Sequence, residues 1–186
     1  FAEQINAPIH CGVEVKKVKP AKGGGFLAKT TSGTIHAKNI VVATGPFQTP
    51  IVPPIVSDKR LVQIHSSDYR NPKQLREGAV LVVGSGSSGS QIADELLGAG
   101  RDVFLSVGPH DRPPRIYRGK DYVWWLSKLG KWQMKAPVVG QEHVTIAVSG
   151  ANGGKTIDFR EFANRGITLL GMVKSSRDGI IELAND

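Results

Sequence analysis

Apolar and polar residues alternate along Gly12–Lys19, the pattern of a half-buried strand. Gly23-Gly24-Gly25 reads as a turn, Phe26–Thr30 as a second strand, Ser32-Gly33 as a turn and Thr34–Lys38 as a third strand. Together they predict a small antiparallel meander, in which His36 is an ordinary strand residue. Before it, Phe1–His10 reads as the tail of a helix and its exit. After it, Lys38–Gly45 is an apolar run closed by Ala43-Thr44-Gly45. Pro46, Pro50, Pro53 and Pro54 then break regular structure and mark a linker. Leu61–His65 reads as a short strand and Ser66–Pro72 as a loop.

The pattern changes at Ala79. An apolar, β-rich run, Ala79–Val83, leads into Gly84-x-Gly86-x-x-Gly89. An amphipathic segment follows and ends at Gly98-Ala99-Gly100, before a second apolar run, Asp102–Val107. This order predicts a βαβ unit, with Ile92, Leu96 and Leu97 facing the sheet and Asp94 and Glu95 facing water. Tyr117–Leu129 carries Tyr122, Trp125, Leu126 and Leu129 at helical spacing, and Trp124, Trp125 and Trp132 are expected in core and domain packing. Lys131–Gly154 is mixed, with an apolar run at Val144–Val148, a glycine-rich turn at Gly150–Gly154 and no evident partner for His143. Asp158 with Glu161 reads as a capping box for a helix ending at Asn164–Gly166. Ile167–Leu170 is then a third parallel strand. Ile167–Val173, Arg177-Asp-Gly179 and Ile180–Leu183 repeat the strand–turn–strand order of the first meander. No closing strand follows before Asp186, so the chain is expected to be a fragment of a longer protein.

Composition narrows the class. Of 186 residues, 40% are hydrophobic and 22% charged, as in ordinary globular proteins. No apolar run suits a bilayer span and no signal peptide is evident, which predicts a cytoplasmic protein without a membrane partner. The single cysteine, Cys11, leaves no disulfide framework, thiolate zinc site or CxxC pair. A net charge of +8 favours anionic ligands. The basic residues are dispersed and no nucleic-acid motif is present, so nucleic acid is not an expected partner.

The glycine spacing has a chemical reading. Gly84 permits a tight turn, Gly86 lets a pyrophosphate approach the backbone, and Gly89 lets the helix pack on the sheet. The helix N-terminus presents N–H groups and partial positive charge to the anion, and Ser85, Ser87 and Ser88 offer hydroxyl donors. An NAD site places Asp or Glu about 20 residues past the first glycine. Here that place holds Ser106-Val107-Gly108, followed by Asp111, Arg112 and Arg115. A missing acid and clustered guanidinium groups favour the 2′-phosphate of NADP(H), near Ser106, Arg112 and Arg115. The alternative is a solvated loop around Pro113-Pro114.

Four motifs carry a resemblance. They are Val41-Val-Ala-Thr-Gly45, Gln63-Ile-His-Ser-Ser-Asp-Tyr-Arg-Asn-Pro72, Val83-Gly-Ser-Gly-Ser-Ser-Gly-Ser-Gln-Ile-Ala-Asp-Glu-Leu96 and Tyr117-Arg-Gly-Lys-Asp-Tyr-Val-Trp-Trp-Leu126. The chain resembles class B flavin-dependent monooxygenases, the group of flavin-containing monooxygenases, YUCCA-type enzymes and Baeyer–Villiger enzymes. It is most similar to bacterial flavoproteins described as potassium-transport or cation-efflux oxidoreductases. It departs from the family pattern F-x-G-x-x-x-H, having Lys59 and Leu61 at the Phe and Gly places before His65.

The resemblance implies an α/β fold: a Rossmann-like NADP-binding domain with a parallel sheet over 51–174, and a partial FAD-domain meander and linker over 1–50. The stretch 175–186 would begin the return to the FAD domain. The resemblance adds Gln91, Thr44 and Gly45 to the cofactor-binding residues. It implies FAD in the intact protein, hydride transfer from NADPH to FAD, activation of O2 and a small-molecule substrate. The chain alone is expected to be inactive, without flavin, and able to form a homo-oligomer through an exposed apolar face. No catalytic side chain is identified, and His65 reads equally as a cofactor contact or a structural loop residue. A flavoprotein reductase without oxygen insertion and a non-enzymatic nucleotide-sensing module linked to ion transport are the alternatives.

Overall fold

A computed structural model of the chain describes residues 2–45, 49–56, 58, 61–110, 113–135, 149–150 and 153–184. The chain divides into two compact units, Phe1–Thr49 and Pro50–Asp186.

The first unit is the expected meander. Strands β1 (Val15–Pro20), β2 (Phe26–Thr30) and β3 (Gly33–Ala37) pair antiparallel in the order β1-β2-β3. Val18, Ala28 and Ile35 are cross-strand neighbours on one face. Ala28 is buried there, but every residue of β1 is exposed. The half-buried reading of β1 is therefore corrected: the alternation is present, but among the described residues of this unit no second layer covers the apolar face. The segment 2–6 is a turn closed by Asn6 N–H to Glu3 O and Ala7 N–H to Ala2 O, rather than the end of a helix. Residues 40–45 take no strand, and Val41 and Val42 are 87% and 81% exposed.

The second unit is built on a parallel sheet. Strands β4 (Val80–Val83), β5 (Val103–Ser106) and β8 (Thr168–Leu170) lie in the order β4-β5-β8, all parallel. Helix α1 (Ser87–Gly98) connects the first two, so the predicted βαβ unit is present. Ala93 and Leu96 of α1 pack with Val82, Val103 and Leu105 of the sheet and with Ile157, Phe162 and Ile167. Leu96 and Leu105 are fully buried, each contributing about 1.5–3 kcal/mol by leaving water. The Arg101 guanidinium donates to the carbonyls of Gly78, at 2.8 Å, and Arg76, tying the start of β4 to the start of β5.

Helix α3 (Phe159–Asn164) begins where the Asp158 carboxylate accepts from Arg160 N–H at 2.9 Å, an N-cap as expected. Glu161 faces Arg165, and Arg165 pairs with Asp94 of α1 at 2.6 Å. Asp94 is thus half-buried in an ion pair instead of facing water. Strands β9 (Val173–Arg177) and β10 (Ile180–Leu183) form a hairpin whose central residues, Asp178 and Gly179, have φ of 53° and 80°. Two successive positive φ values give the turn whose twist suits a two-residue hairpin.

The same device corrects another expectation. Arg118 and Gly119, with φ of 48° and 70°, join strands β6 (Ile116–Tyr117) and β7 (Lys120–Asp121). Tyr117 therefore lies in a hairpin, and helix α2 spans only Tyr122–Lys128. Trp124 and Trp132 are 40% and 57% exposed and Trp125 is half-buried, so Trp124 and Trp132 are not core residues of this unit. Trp124 meets Trp125 edge-on, with centroids 4.8 Å apart, and Lys120 and Lys128 lie over the Trp124 ring. Leu61–His65 takes no strand. The readings at His143 and Val144–Val148 fall outside the described residues. Among the described residues no helix is long and apolar enough to cross a membrane.

Candidate functional site

The three glycines of the loop between β4 and α1 meet three different demands. Gly84 has φ of +96°, which lets the chain leave β4 sharply while its N–H still reaches Ser106 O at 3.2 Å. Gly86 is the N-cap of α1, with φ −64° and ψ −173°, an ordinary extended conformation. A Cβ there would meet no atom within 4 Å, so the backbone at Gly86 lies open. A Cβ on Gly89 would stand 2.0 Å from Gly84 O. Close approach of α1 to the end of β4 therefore excludes any side chain at that position.

Because the N-cap is glycine, no side chain caps α1. The first-turn N–H groups and the positive end of a 12-residue helix face the loop. Ser85 is buried and its carbonyl accepts from the Ser90 hydroxyl at 3.0 Å, which pins the loop to the helix. Ser87 is half-buried and Ser88 exposed in the first turn of α1.

Over the carboxyl ends of β4 and β5 lies an open cleft of about 320 Å³. Its walls are Val83, Gly84, Ser85 and Gly86 on one side, Ser106, Gly108, Pro109 and His110 on another, and Met172 and Val173 beyond β8. No carboxylate lines it among the described residues. Among those residues there is also no group of His, Cys, Asp and Glu suited to a metal ion.

The predicted site residues divide. The glycine loop and Ser106 come together at this cleft. The Ser106 side chain, however, is committed: its hydroxyl donates to Gly171 O at 3.0 Å and accepts from Val173 N–H at 3.1 Å. It bridges β5 to the β8–β9 connection and is 2% exposed. Gln91 is exposed on α1 and does not line the cleft. Arg115 does not line it either. Its Nε donates to Asp121 at 2.6 Å, and its backbone N–H donates to the Thr156 hydroxyl at 2.9 Å. Asp121 also caps α2 by accepting from Val123 N–H at 2.8 Å. That backbone hydrogen bond, then the Arg115 hydrogen bond and charge, hold the Asp121 carboxyl below its usual range. Arg112 lies outside the described residues, and Thr44 and Gly45 are exposed coil in the first unit.

The motif after Leu61 is a folded loop. His65 Nδ1 accepts from Ser67 N–H at 3.2 Å and lies 2.9 Å from the Ser67 hydroxyl. The Arg70 guanidinium donates to the carbonyl of Ser67. Gln74 accepts from Arg70 N–H at 2.8 Å and donates to Asp68 O at 2.9 Å. Tyr69 packs against the core and donates its hydroxyl to Glu95 of α1 at 3.0 Å. Burial first, then the hydrogen bond to Glu95 and its negative charge, push the Tyr69 pKa up to about 12. His65 is therefore engaged within its own loop.

His110 was not singled out by the sequence pattern. The signal available was positional: it lies just beyond the end of β5, where a dinucleotide unit places its ribose-recognising residue.

Comparisons with known proteins agree with this architecture. Residues 1–150 match the family described as pyridine nucleotide-disulphide oxidoreductase. An oxidoreductase described as CzcO-like from Geobacillus kaustophilus is 46% identical over 134 residues, covering 70% of this chain and 38% of that protein. The flavin-containing monooxygenase iboF of Amanita muscaria is 30% identical over 115 residues, covering 59% of this chain and 22% of that protein. The chain thus spans well under half the length of these relatives. A flavin monooxygenase structure from Stenotrophomonas maltophilia shares the fold, with a TM-score of 0.60 at 15% identity over 98% of this chain and 49% of that one. Cys11, the single cysteine, is exposed, so this chain holds no dithiol pair. The chain belongs to the pyridine nucleotide-disulphide oxidoreductase family, with flavin-containing monooxygenases among its relatives.

Proposed function

We propose that the chain is the NADPH-binding portion of an FAD- and NADPH-dependent flavoprotein oxidoreductase of the monooxygenase type, acting on a small-molecule substrate and O2. The observation that carries this reading is the open backbone at Gly86, set at an uncapped helix N-terminus beside a cleft over the ends of two parallel strands. The residues present fit a dinucleotide. Gly86 leaves the volume a pyrophosphate needs, and the first-turn N–H groups of α1 supply donors. Among the described residues no carboxylate stands on the cleft wall to repel a 2′-phosphate, which supports NADPH over NADH. Arg112 is the guanidinium assigned to that phosphate.

When bound, the cofactors supply the redox chemistry: NADPH gives hydride, FAD accepts it, and the reduced flavin reacts with O2. The chain's own part is to bind and orient. Gly84 and Gly89 fix the loop, the α1 N-terminus holds negative charge, and the folded loop around His65–Gln74, anchored by Tyr69 to Glu95, ties the approach to the domain onto α1.

Anaerobic mixing of the flavin-loaded intact protein, of which this chain is a part, with NADPH tests the reading. Bleaching of the flavin's visible absorption is expected, faster with NADPH than with NADH. An unchanged flavin spectrum would refute it. Uncoupled peroxide formation with every substrate tried would favour the reductase alternative.

A further inference from the structure

We infer that His110 is a further side chain, beside the proposed Arg112, by which the cleft distinguishes an adenosine bearing a 2′-phosphate from one with a free 2′-hydroxyl. This rests on the NADPH reading and deepens it.

Among the described lining residues three carry polar side chains: Ser85, Ser106 and His110. Ser85 and Ser106 are 5% and 2% exposed, and the Ser106 hydroxyl is committed to Gly171 and Val173. His110 is exposed on the cleft wall. Its Nδ1 lies 3.0 Å from Gly108 O. A carbonyl only accepts, so Nδ1 carries the proton of that bond and Nε2 is the edge left for a ligand. The ring also meets Phe159 edge-on, with centroids 4.9 Å apart at 67°. Phe159 is buried at the start of α3, so the imidazole is braced from its own loop and from a core residue.

The position gives this edge its meaning. In a dinucleotide-binding βαβ unit the pyrophosphate takes the glycine loop, and the adenosine ribose reaches the end of the second strand. A carboxylate there accepts from the 2′-hydroxyl and repels a 2′-phosphate. An imidazole that takes up a proton on Nε2 together with the bound phosphate acts in the opposite sense: Nδ1–H stays on Gly108, and Nε2–H donates a charge-assisted bond to a phosphate oxygen. The geometry thus assigns His110 a role in specificity rather than in the hydride step.

The test is calorimetric titration of the full chain, wild type, His110→Ala and His110→Asp, with NADPH, NADH, 2′,5′-ADP and 5′-AMP. His110→Ala is expected to weaken NADPH and 2′,5′-ADP about tenfold or more, the loss of one charge-assisted hydrogen bond. NADH and 5′-AMP should stay within about twofold. His110→Asp should reverse the preference toward NADH, so the inference does not rest on one substitution. Thermal unfolding of each variant separates lost folding from lost recognition. Equal losses for phosphorylated and unphosphorylated ligands, or no loss in either variant, would overturn the role of His110 while leaving the NADPH reading intact. A folded wild-type chain that binds none of the four would overturn both.

Discussion

Alanine at Gly86 and alanine at Gly89 are expected to fail in different ways, and the difference follows from distances. At Gly89 the new methyl would stand 2.0 Å from Gly84 O and 3.1 Å from Gly84 C, both backbone atoms. Relief requires α1 and the end of β4 to separate by about 1 Å, since carbon–oxygen contacts settle near 3.3 Å. That movement strains Gly84 N–H to Ser106 O, already 3.2 Å, and the Ser90 N–H bond to Gly86 O, 3.0 Å. Overpacking of this kind costs about 1–3 kcal/mol, and a rigid backbone neighbour places Gly89→Ala at or above the upper end. Set against a total stability of about 5–15 kcal/mol, this is a large loss. At Gly86 the methyl meets nothing within 4 Å and the backbone is already in an ordinary conformation. Gly86→Ala should therefore change stability by no more than about 0.5 kcal/mol. The methyl would, however, occupy the approach of the pyrophosphate and weaken NADPH by about tenfold or more, equivalent to about 1.4 kcal/mol. Urea unfolding followed by circular dichroism reads the first effect, and calorimetric titration the second. Wild-type affinity in a folded Gly86→Ala variant, or wild-type stability in Gly89→Ala, would refute the reasoning.

Tyr69→Phe should cost about 1 kcal/mol by removing the hydrogen bond to Glu95, read by urea unfolding. The Tyr69 pKa is raised from 10.0 to about 12, so its contribution is complete below pH 10 and disappears as pH rises toward 12. A Tyr69→Phe variant should lose less stability than wild type across that window, and parallel curves would contradict the assignment. Asp121 is shifted the other way, below 3.8, so the stability it lends the start of α2 is present above that value and lost as pH falls through its lower folded-state pKa. Amide exchange at Val123 should accelerate in Asp121→Ala, and unchanged exchange would exclude the cap. Exposure of Val41, Val42 and Ile51 predicts concentration-dependent self-association, measurable by sedimentation velocity, whereas a constant monomer would rule it out.

The elements legible in the sequence are those specified locally. The glycine loop reads correctly because Gly84 and Gly89 are demanded by the turn and by helix–strand contact, both within a few residues. The Asp178-Gly179 hairpin and the Asp158 cap are local in the same sense. Misread elements depend on partners distant in the chain. Leu61–His65 has strand composition, but a strand exists only when paired, and these residues take no partner strand. Tyr117 carries a helical spacing that Arg118-Gly119 overrides with a hairpin. Trp124 and Trp132 look like core residues by type, yet both are exposed, and Lys120 and Lys128 lie over the Trp124 ring. Within the site, Ser106 stands at the expected place but spends its hydroxyl on partners 65 and 67 residues further along the chain, which no local pattern reveals. Arg115 reads as a phosphate ligand by charge, and its pairing through Nε with Asp121 is likewise not visible in a local pattern.

Calorimetric titration of the wild-type chain with NADPH and, separately, NADH tests the central claim most directly. Saturable binding is expected, tighter for NADPH, because the cleft joins an open glycine loop to a wall on which no described residue is a carboxylate. Equal or tighter binding of NADH would contradict the assignment of NADPH, and no binding of either by the folded chain would contradict the dinucleotide site itself.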